Sequence, residues 1–217
     1  MRTVFEDRAD AGRQLGDALR KKALHDPVVF ALPRGGVPVA AEVARALKAP
    51  LDLVLVRKIG APGQPELAVA AVCDGAEPTL AIDDETLSAC GASIAYVNRE
   101  APQHLAEIER RRHVYLKDRP PTDVEGKTVV LVDDGIATGT SVRAALESLR
   151  RRRPGRLVLA VPVAPPEEAA RLREEVDDLV CLSTPVLFGA VGNHYRSFGQ
   201  TSDEEVIELL EQSHAAR

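Results

Sequence analysis

The sequence predicts an α/β fold, a mostly parallel sheet flanked by helices, in a single domain spanning residues 1–217. Residues 28–32, 128–132 and 157–163 are almost wholly apolar, as expected of strands buried on both faces of a parallel sheet. A helical pattern follows each run, and alternating strands and helices predict right-handed connections with ligand loops at the carboxyl ends of the strands. With 217 residues and 45% hydrophobic content, the chain can bury a sizeable core.

The first third of the chain contains several of the predicted elements. Leu15, Ala18 and Leu19 lie at helical spacing amid charged residues, which predicts an amphipathic helix with a structural role. Residues 57–66 are rich in Gly and Pro, so we expect an irregular loop there. In order, the predicted elements are a helix at 5–22, a strand at 28–32, a helix at 39–47, a strand at 51–56 and a strand at 67–72.

Residues 74–125 give a weaker signal and are interpreted as a helical insertion. A short strand is expected at 79–82, and residues 83–118 are mostly helical in pattern, with Pro102 as an interruption. The arginines at 110–112 are interpreted as a solvated helix face.

The last third of the chain returns to alternating strands and helices. The arginines at 150–153 precede Pro154 and Gly155, where cations complement a helix C-terminus, with RNA binding as the alternative. Residues 185–217 are expected to form a small hood with Thr201 or Ser202 as the N-cap of its helix. The predicted elements are a strand at 128–132 with a helix after it, a strand at 157–163, a helix at 165–175, a strand at 179–183 and a helix at 203–212.

Composition narrows the class of protein. A net charge of −5 and an aromatic content of 3% without Trp do not favour nucleic acid as a partner. Cys73, Cys90 and Cys181 are widely spaced, which argues against disulfides and zinc and favours a reducing cytoplasm. The start of the chain is charged, and no run of about 18 apolar residues occurs. We therefore expect a cytoplasmic protein that does not span a membrane.

The stretch KTVVLVDDGIATGTSVR, residues 127–143, carries the clearest chemical signal. After the apolar strand, small and hydroxyl residues form a turn that leads into a helix, where backbone N–H groups and the helix dipole favour a phosphate. Asp133 and Asp134 stand beside that turn and would repel a phosphate unless they face hydroxyls or a cation. The stretch therefore predicts a phosphorylated sugar as ligand, with its diol or Mg2+ at the carboxylates.

Two other α/β classes share parts of this pattern. Receiver domains also end a strand in paired aspartates, but their acidic pair lies near the start of the chain and no glycine–hydroxyl turn follows. A Walker A loop is excluded because the turn contains no G-K-[ST].

The same stretch resembles the phosphoribosyl pyrophosphate (PRPP) signature of type I phosphoribosyltransferases. The resemblance implies a type I phosphoribosyltransferase-like fold and release of pyrophosphate from PRPP. Asp133 and Asp134 would hold the ribose 2′ and 3′ hydroxyls and, with the phosphates of the substrate, Mg2+. The turn around the 5′-phosphate would consist of Ala137, Thr138, Gly139, Thr140 and Ser141.

Two further loops are assigned by this resemblance. Arg34, Gly35 and Gly36 follow a predicted strand and resemble the pyrophosphate loop of the family. Arg57 and Lys58 begin the loop expected to close over pyrophosphate, where they would neutralise the leaving group. We therefore expect Arg34, Lys58, Asp133 and Asp134 to be catalytic. The alternatives are an ordinary strand-to-helix turn for the first loop and a plain surface connection for the second.

The nitrogenous acceptor, expected to be a nucleobase, is predicted to stack on Phe188, because residues 188–198 resemble the base-binding stretch of purine phosphoribosyltransferases. The alternative is that these rings pack the closing helix onto the sheet. Ala137 stands where hypoxanthine-guanine enzymes have an aspartate, which argues against that specificity. A PRPP-sensing regulator without turnover, and a hydrolase or phosphorylase of a phosphoribosylated compound, remain open, and a second copy of the chain is a candidate partner.

Overall fold

The computed structural model describes residues 5–74, 78–117 and 119–215. In chain order the elements are α1 (Arg8–Arg20), β1 (Pro27–Ala31), α2 (Gly36–Leu47), β2 (Leu51–Leu53), β3 (Val56–Ala61), β4 (Gln64–Cys73), β5 (Thr79–Ile82), α3 (Asp84–Ala89), α4 (Ile94–Leu116), β6 (Thr128–Val132), α5 (Thr140–Arg151), β7 (Arg156–Val163), α6 (Pro166–Glu174), β8 (Asp178–Ser183), a 3-10 turn (Val191–His194) and α7 (Asp203–Ala215).

Two sheets organise the chain. Five strands form a sheet in the order β2-β1-β6-β7-β8, and every pairing in it is parallel. A separate antiparallel sheet has the order β3-β4-β5. The predicted fold class is confirmed, with β6 at the centre of the parallel sheet and its carboxyl end flanked by those of β1 and β7.

The parallel sheet is buried on both faces because successive side chains of each strand point to opposite sides. In β6, Val130 and Val132 pack into the core shared with α1, α2 and α7, whereas Val129 and Leu131 pack into the core shared with α5 and α6. These four side chains are 0% exposed, which explains why the strand has no alternation of apolar and polar residues.

The expected loop at 57–66 is wrong. Residues 56–73 form an antiparallel hairpin in which Lys58 pairs with Ala71, and the predicted strand at 51–56 is split between β2 and β3. The glycines and prolines fit this hairpin because its register shifts around Gly60 and because Gly63, at φ +74°, makes the turn. Arg57 and Lys58 are therefore fixed on a strand.

The interruption expected at Pro102 is also wrong, since α4 runs through it from Ile94 to Leu116. Proline removes one helical hydrogen bond, and the remaining turns of this 23-residue helix keep their own. The Tyr96 hydroxyl donates to the Gly60 carbonyl at 2.9 Å, which ties α4 to the hairpin. The arginine run is not wholly solvated either, because Arg112 forms an ion pair with Asp74 at 2.9 Å.

Two helices begin at positions that matter for the loops nearby. α2 starts at Gly36, and the Gly36 N–H donates to Leu32 O at 3.0 Å, so the glycine turn leads directly into the helix. Ser202 caps α7 by accepting from the Glu205 N–H at 3.1 Å, as one of the two predicted caps.

None of the helices in the described ranges is long and apolar enough to cross a membrane.

Candidate active site

The acidic pair lies where β6 ends at the edge of the sheet. Asp133 and Asp134 directly follow Val132, and the Asp133 carboxylate accepts from the Asp134 N–H at 2.9 Å. Burial and then the charge of Asp134 raise the pKa of Asp133 well above its usual range, while the charges of Lys58 and Arg8 oppose that shift. Burial likewise raises the pKa of Asp134. The pair needs cations or hydroxyl donors to remain ionised at this position.

The glycine turn before α2 packs directly on this pair. A side chain on Gly35 would place its Cβ 2.1 Å from Asp134 Oδ2, and one on Gly36 would lie 3.0 Å from the Asp133 Cα. Both positions therefore require glycine for close approach. The structure thus brings together two motifs separated by about a hundred residues, because β1 and β6 are neighbours in the sheet.

Arg34 is turned away from the acidic pair. Its guanidinium lies 3.5 Å from Asp203 at the start of α7, and the Tyr115 hydroxyl donates to the same carboxylate at 2.6 Å. The Arg34 side chain is 39% exposed, so it retains room to change its direction.

The two cations of the hairpin have different surroundings. The positive charge of Lys58 lowers the pKa of Asp133. Arg57 instead lies 3.9 Å from Glu107 on α4. Neighbouring residues of a strand point to opposite faces. Arg57 therefore contacts the helical insertion, and Lys58 points to the other side of the strand.

The glycine–hydroxyl turn exposes a run of backbone donors. The first hydrogen bond of α5 is donated by the Arg143 N–H to Gly139 O at 2.8 Å. In the described part of the chain, the N–H groups from Ala137 to Val142 have no backbone acceptor. Thr138 and Thr140 have their hydroxyls 3.4 Å apart on the same turn. Free N–H groups at the start of a helix can bind an anion, which is the role predicted for this turn.

Phe188 is nearly buried in the hood, with 9% of its surface exposed. Its ring stacks on His194, with ring centroids 5.2 Å apart, and His194 Nε2 lies 3.0 Å from the Phe188 carbonyl oxygen. Val191 of the hood packs against Gly135, the residue directly after the acidic pair. A Cβ on Gly135 would lie 2.6 Å from the Val191 side chain. Phe188 is therefore near the predicted site, with one face of its ring covered by His194.

Arg8, which lies in the helix predicted to have only a structural role, contacts the acidic pair. Its Nε and Nη2 both lie 2.8 Å from Asp134 Oδ2, and its Nη1 donates to Gly199 O at 2.7 Å. The guanidinium also lies 3.9 Å from the centre of the Phe198 ring. The sequence contained one local indication that Arg8 has a partner elsewhere. A cation in the first turn of a helix is unfavourable next to the helix dipole unless another group pairs with it.

Tyr195 is a second contact that the sequence did not indicate. Its hydroxyl donates to the Asp134 backbone oxygen at 2.5 Å, and its ring packs against Phe5 and Phe198. The N-terminal helix and the C-terminal tail thus meet behind Asp134.

Two cavities lie near these elements. One of about 510 Å3 is bordered by Thr138, Thr140 and Arg143, with the start of α3 and the end of α6 opposite them. A second, of about 750 Å3, lies between α4, α5 and β2, and none of the described residues in its wall is a predicted site residue.

No three His, Cys, Asp or Glu side chains within residues 5–74, 78–117 and 119–215 are grouped to hold a metal by themselves.

The cluster at Arg150–Arg153 is engaged within the protein, which agrees with its structural interpretation. Each guanidinium has a partner: Arg150 the Glu175 carbonyl at 2.6 Å, Arg151 the Glu147 carboxylate at 2.7 Å, Arg152 the Thr122 carbonyl and Arg153 the Glu125 carboxylate at 3.2 Å.

Comparison with known proteins gives a consistent family. The phosphoribosyl transferase domain matches residues 7–194. A Mycobacterium tuberculosis protein named as a phosphoribosyl transferase is 43% identical over 211 residues, which cover 97% of this chain and 47% of the relative. The chain therefore spans about half the length of the curated relative that it matches.

Solved structures support the fold. The crystal structure of TT1426 from Thermus thermophilus aligns with a TM-score of 0.82 at 45% identity, over 96% of this chain and 98% of that one. A Neisseria gonorrhoeae protein crystallised with bound ppGpp aligns with a TM-score of 0.51 at 14% identity, over 100% of this chain and 99% of that one. At that identity the second likeness shows the fold alone.

Arg8→Ala should destabilise the protein by about 1–3 kcal/mol, because it leaves the partly buried Asp134 carboxylate without its ion pair. Arg20→Ala is the matched control, since Arg20 forms an exposed pair with Asp17 on the same helix and its loss should cost less than about 1 kcal/mol. Urea unfolding of both variants measures the difference. Equal losses of stability would show that the Arg8 contact does not matter for folding.

Proposed function

This chain belongs to the phosphoribosyl transferase family, and on that premise we propose that it transfers the 5-phosphoribosyl group of PRPP to a nitrogenous acceptor, with Mg2+ and release of pyrophosphate. One observation carries the proposal. Donors for an anion, from Ala137 to Val142, follow directly after two carboxylates on which the Gly35–Gly36 turn packs. A 5-phosphate and a ribose diol of one ligand require that pairing.

The carboxylates would accept hydrogen bonds from the ribose hydroxyls. Asp133 and Asp134 stay ionised most readily when hydroxyls, Lys58 and Arg8 surround them, since burial alone disfavours their charge. Two adjacent carboxylates also fit Mg2+, which commonly binds one or two carboxylates together with substrate phosphates. When bound, Mg2+ would supply neutralisation of the charge that develops on pyrophosphate.

The reaction breaks the bond between ribose C1 and the pyrophosphate oxygen, whose electron pair leaves with pyrophosphate. The acceptor nitrogen then bonds to C1 and gives up its proton. Because the sugar passes through an oxocarbenium-like state, groups that bind the departing charge lower the barrier. Lys58 already interacts electrostatically with Asp133, and Arg34 would have to turn from Asp203 towards the pyrophosphate.

The acceptor is proposed to be a nitrogenous base that contacts Phe188. Since His194 covers one face of that ring, a base would use the opposite face or the ring edge. The exposed apolar residues Val186 and Leu187 precede it, at 86% and 87% exposure, and offer further apolar contact.

A screen of nucleobases with PRPP and Mg2+, scored by pyrophosphate release, tests the proposed function. Release that depends on one base supports transfer. Release without any base would indicate a hydrolase, and calorimetric binding of PRPP without release would indicate a sensor.

Asp133→Asn combined with Asp134→Asn should weaken PRPP binding by about 100-fold or more. Two hydrogen bonds to charged groups are lost, each worth about 1.5–3 kcal/mol. Isothermal calorimetry gives the affinity, circular dichroism confirms the fold, and Asp17→Asn on exposed α1 is the control. Unchanged affinity in the double variant would remove the ribose assignment.

Lys58→Ala should lower kcat at least about tenfold, whereas Arg57→Ala on the same strand should change it less than about threefold. The difference is expected because the Lys58 charge reaches Asp133 while Arg57 faces Glu107. Steady-state pyrophosphate release measures both. A rise in KM alone for Lys58→Ala would make this residue a ground-state anchor and not a catalytic group.

Phe188→Ala should leave PRPP affinity unchanged and weaken acceptor binding by about 1–3 kcal/mol, the range for base stacking. Calorimetry with the base found in the screen measures the effect, and Ile94→Ala, at an exposed apolar residue where α4 begins, is the control. Lost thermal stability with unchanged acceptor affinity would show that Phe188 only packs the hood.

A further inference from the structure

The turn from Ala137 to Val142 carries backbone N–H groups that have no backbone acceptor in the described part of the chain. N–H groups without acceptors form an anion site only if they point the same way. Helix geometry sets this direction for Thr140 and the residues after it, but the peptide between Thr138 and Gly139 lies outside the helix. Gly139 has φ +71°, a conformation in which glycine turns freely, so another contact must fix this peptide.

Arg143 supplies that contact. Its Nη1 donates to the Thr138 carbonyl oxygen at 3.1 Å. A peptide unit is planar and trans, so its C=O and N–H point in opposite directions. With the Thr138 carbonyl held towards the Arg143 guanidinium, the Gly139 N–H must point away from it, towards the open side of the turn.

The guanidinium is itself held in place. Arg143 Nη2 lies 2.6 Å from Glu168 Oε1, and its Nε donates to Glu175 at 2.9 Å. Glu168 is 7% exposed, so its position is set by the packing of α6. A Cβ at Gly139 would lie 2.1 Å from Glu168 Oε1, which means that the turn rests directly on this ion pair.

The same ion pair solves an electrostatic problem. A buried carboxylate beneath the turn would repel a phosphate bound above it. Arg143 offsets the charge of the buried Glu168 carboxylate, whereas its second partner, Glu175, is 38% exposed and is screened by solvent.

We propose that Arg143, braced by Glu168 and Glu175, is a positioning residue that aims the Gly139 N–H at the 5-phosphate of the substrate. The identity of the anion as a 5-phosphate rests on the proposed function, whereas the orientation of the Thr138–Gly139 peptide is a property of the free protein.

The test uses Arg143→Met combined with Glu168→Gln. The double variant removes the donor to Thr138 while leaving the net charge beneath the turn unchanged and no buried carboxylate unpaired. Arg143→Lys is the rescue variant, since lysine can still donate to the Thr138 carbonyl. Arg171→Gln is the matched control, because Arg171 borders the same 510 Å3 cavity from α6, and the hydrogen bond to the Thr138 carbonyl comes from Arg143.

Backbone NMR of the free proteins reports the orientation. The double variant should shift the Thr138 carbonyl carbon and the Gly139 amide, Arg143→Lys should return both towards their wild-type values, and Arg171→Gln should leave them in place. Unshifted resonances in the double variant would overturn the proposal whatever the protein binds.

Titration with ribose 5-phosphate then reports the consequence. Affinity should fall at least about tenfold in the double variant, recover in part in Arg143→Lys and change less than about threefold in Arg171→Gln. If the wild-type protein binds ribose 5-phosphate but the NMR resonance of the Gly139 amide does not shift, this inference is overturned and the proposed function stands. A wild-type protein that binds neither ribose 5-phosphate nor PRPP would overturn the proposed function and, with it, the assigned anion.

Discussion

The ionisation of two adjacent, partly buried carboxylates is the constraint on which the rest of the structure depends. Burial raises the pKa of both Asp133 and Asp134, so other segments must supply positive charge or hydrogen-bond donors at the end of β6. Arg8 arrives from the start of α1, and Lys58 arrives from the hairpin. The N-terminal helix and the antiparallel sheet thus each bring a cation towards the pair, and a cationic or hydroxyl-bearing ligand would complete the same balance.

Close backbone approach is the second requirement, and glycine meets it at the two motifs. Gly35 leaves room for the Asp134 carboxylate, and Gly139 leaves room for the Glu168 carboxylate. In each case a carboxylate lies where a Cβ would stand, and an arginine pairs with that carboxylate. Acidic groups can therefore lie against both ligand loops without presenting uncompensated charge to a phosphate.

The sequence was sufficient for the parts of the fold that depend on local pattern. β6 was predicted at its observed bounds because a strand buried on both faces is almost wholly apolar. The two glycine turns were predicted at the same edge of the sheet because each follows a strand and because both resemble loops of the family. The hairpin was missed because Gly60 and Pro65 argue against regular structure. In the structure the register between β3 and β4 shifts near these residues, and the pairing accommodates both. The Arg8 contact with Asp134 spans 126 positions, and no local pattern can locate such a partner.

Asp133 and Asp134 are proposed to bind the hydroxyls of a sugar whose phosphate lies on the turn from Ala137 to Val142. The most direct measurement compares the affinities of ribose 5-phosphate and 2-deoxyribose 5-phosphate for the wild-type protein by calorimetry in the presence of Mg2+. Loss of one hydroxyl bonded to a carboxylate should weaken binding at least about tenfold. Equal affinities for the two sugar phosphates would contradict the proposed role of the acidic pair.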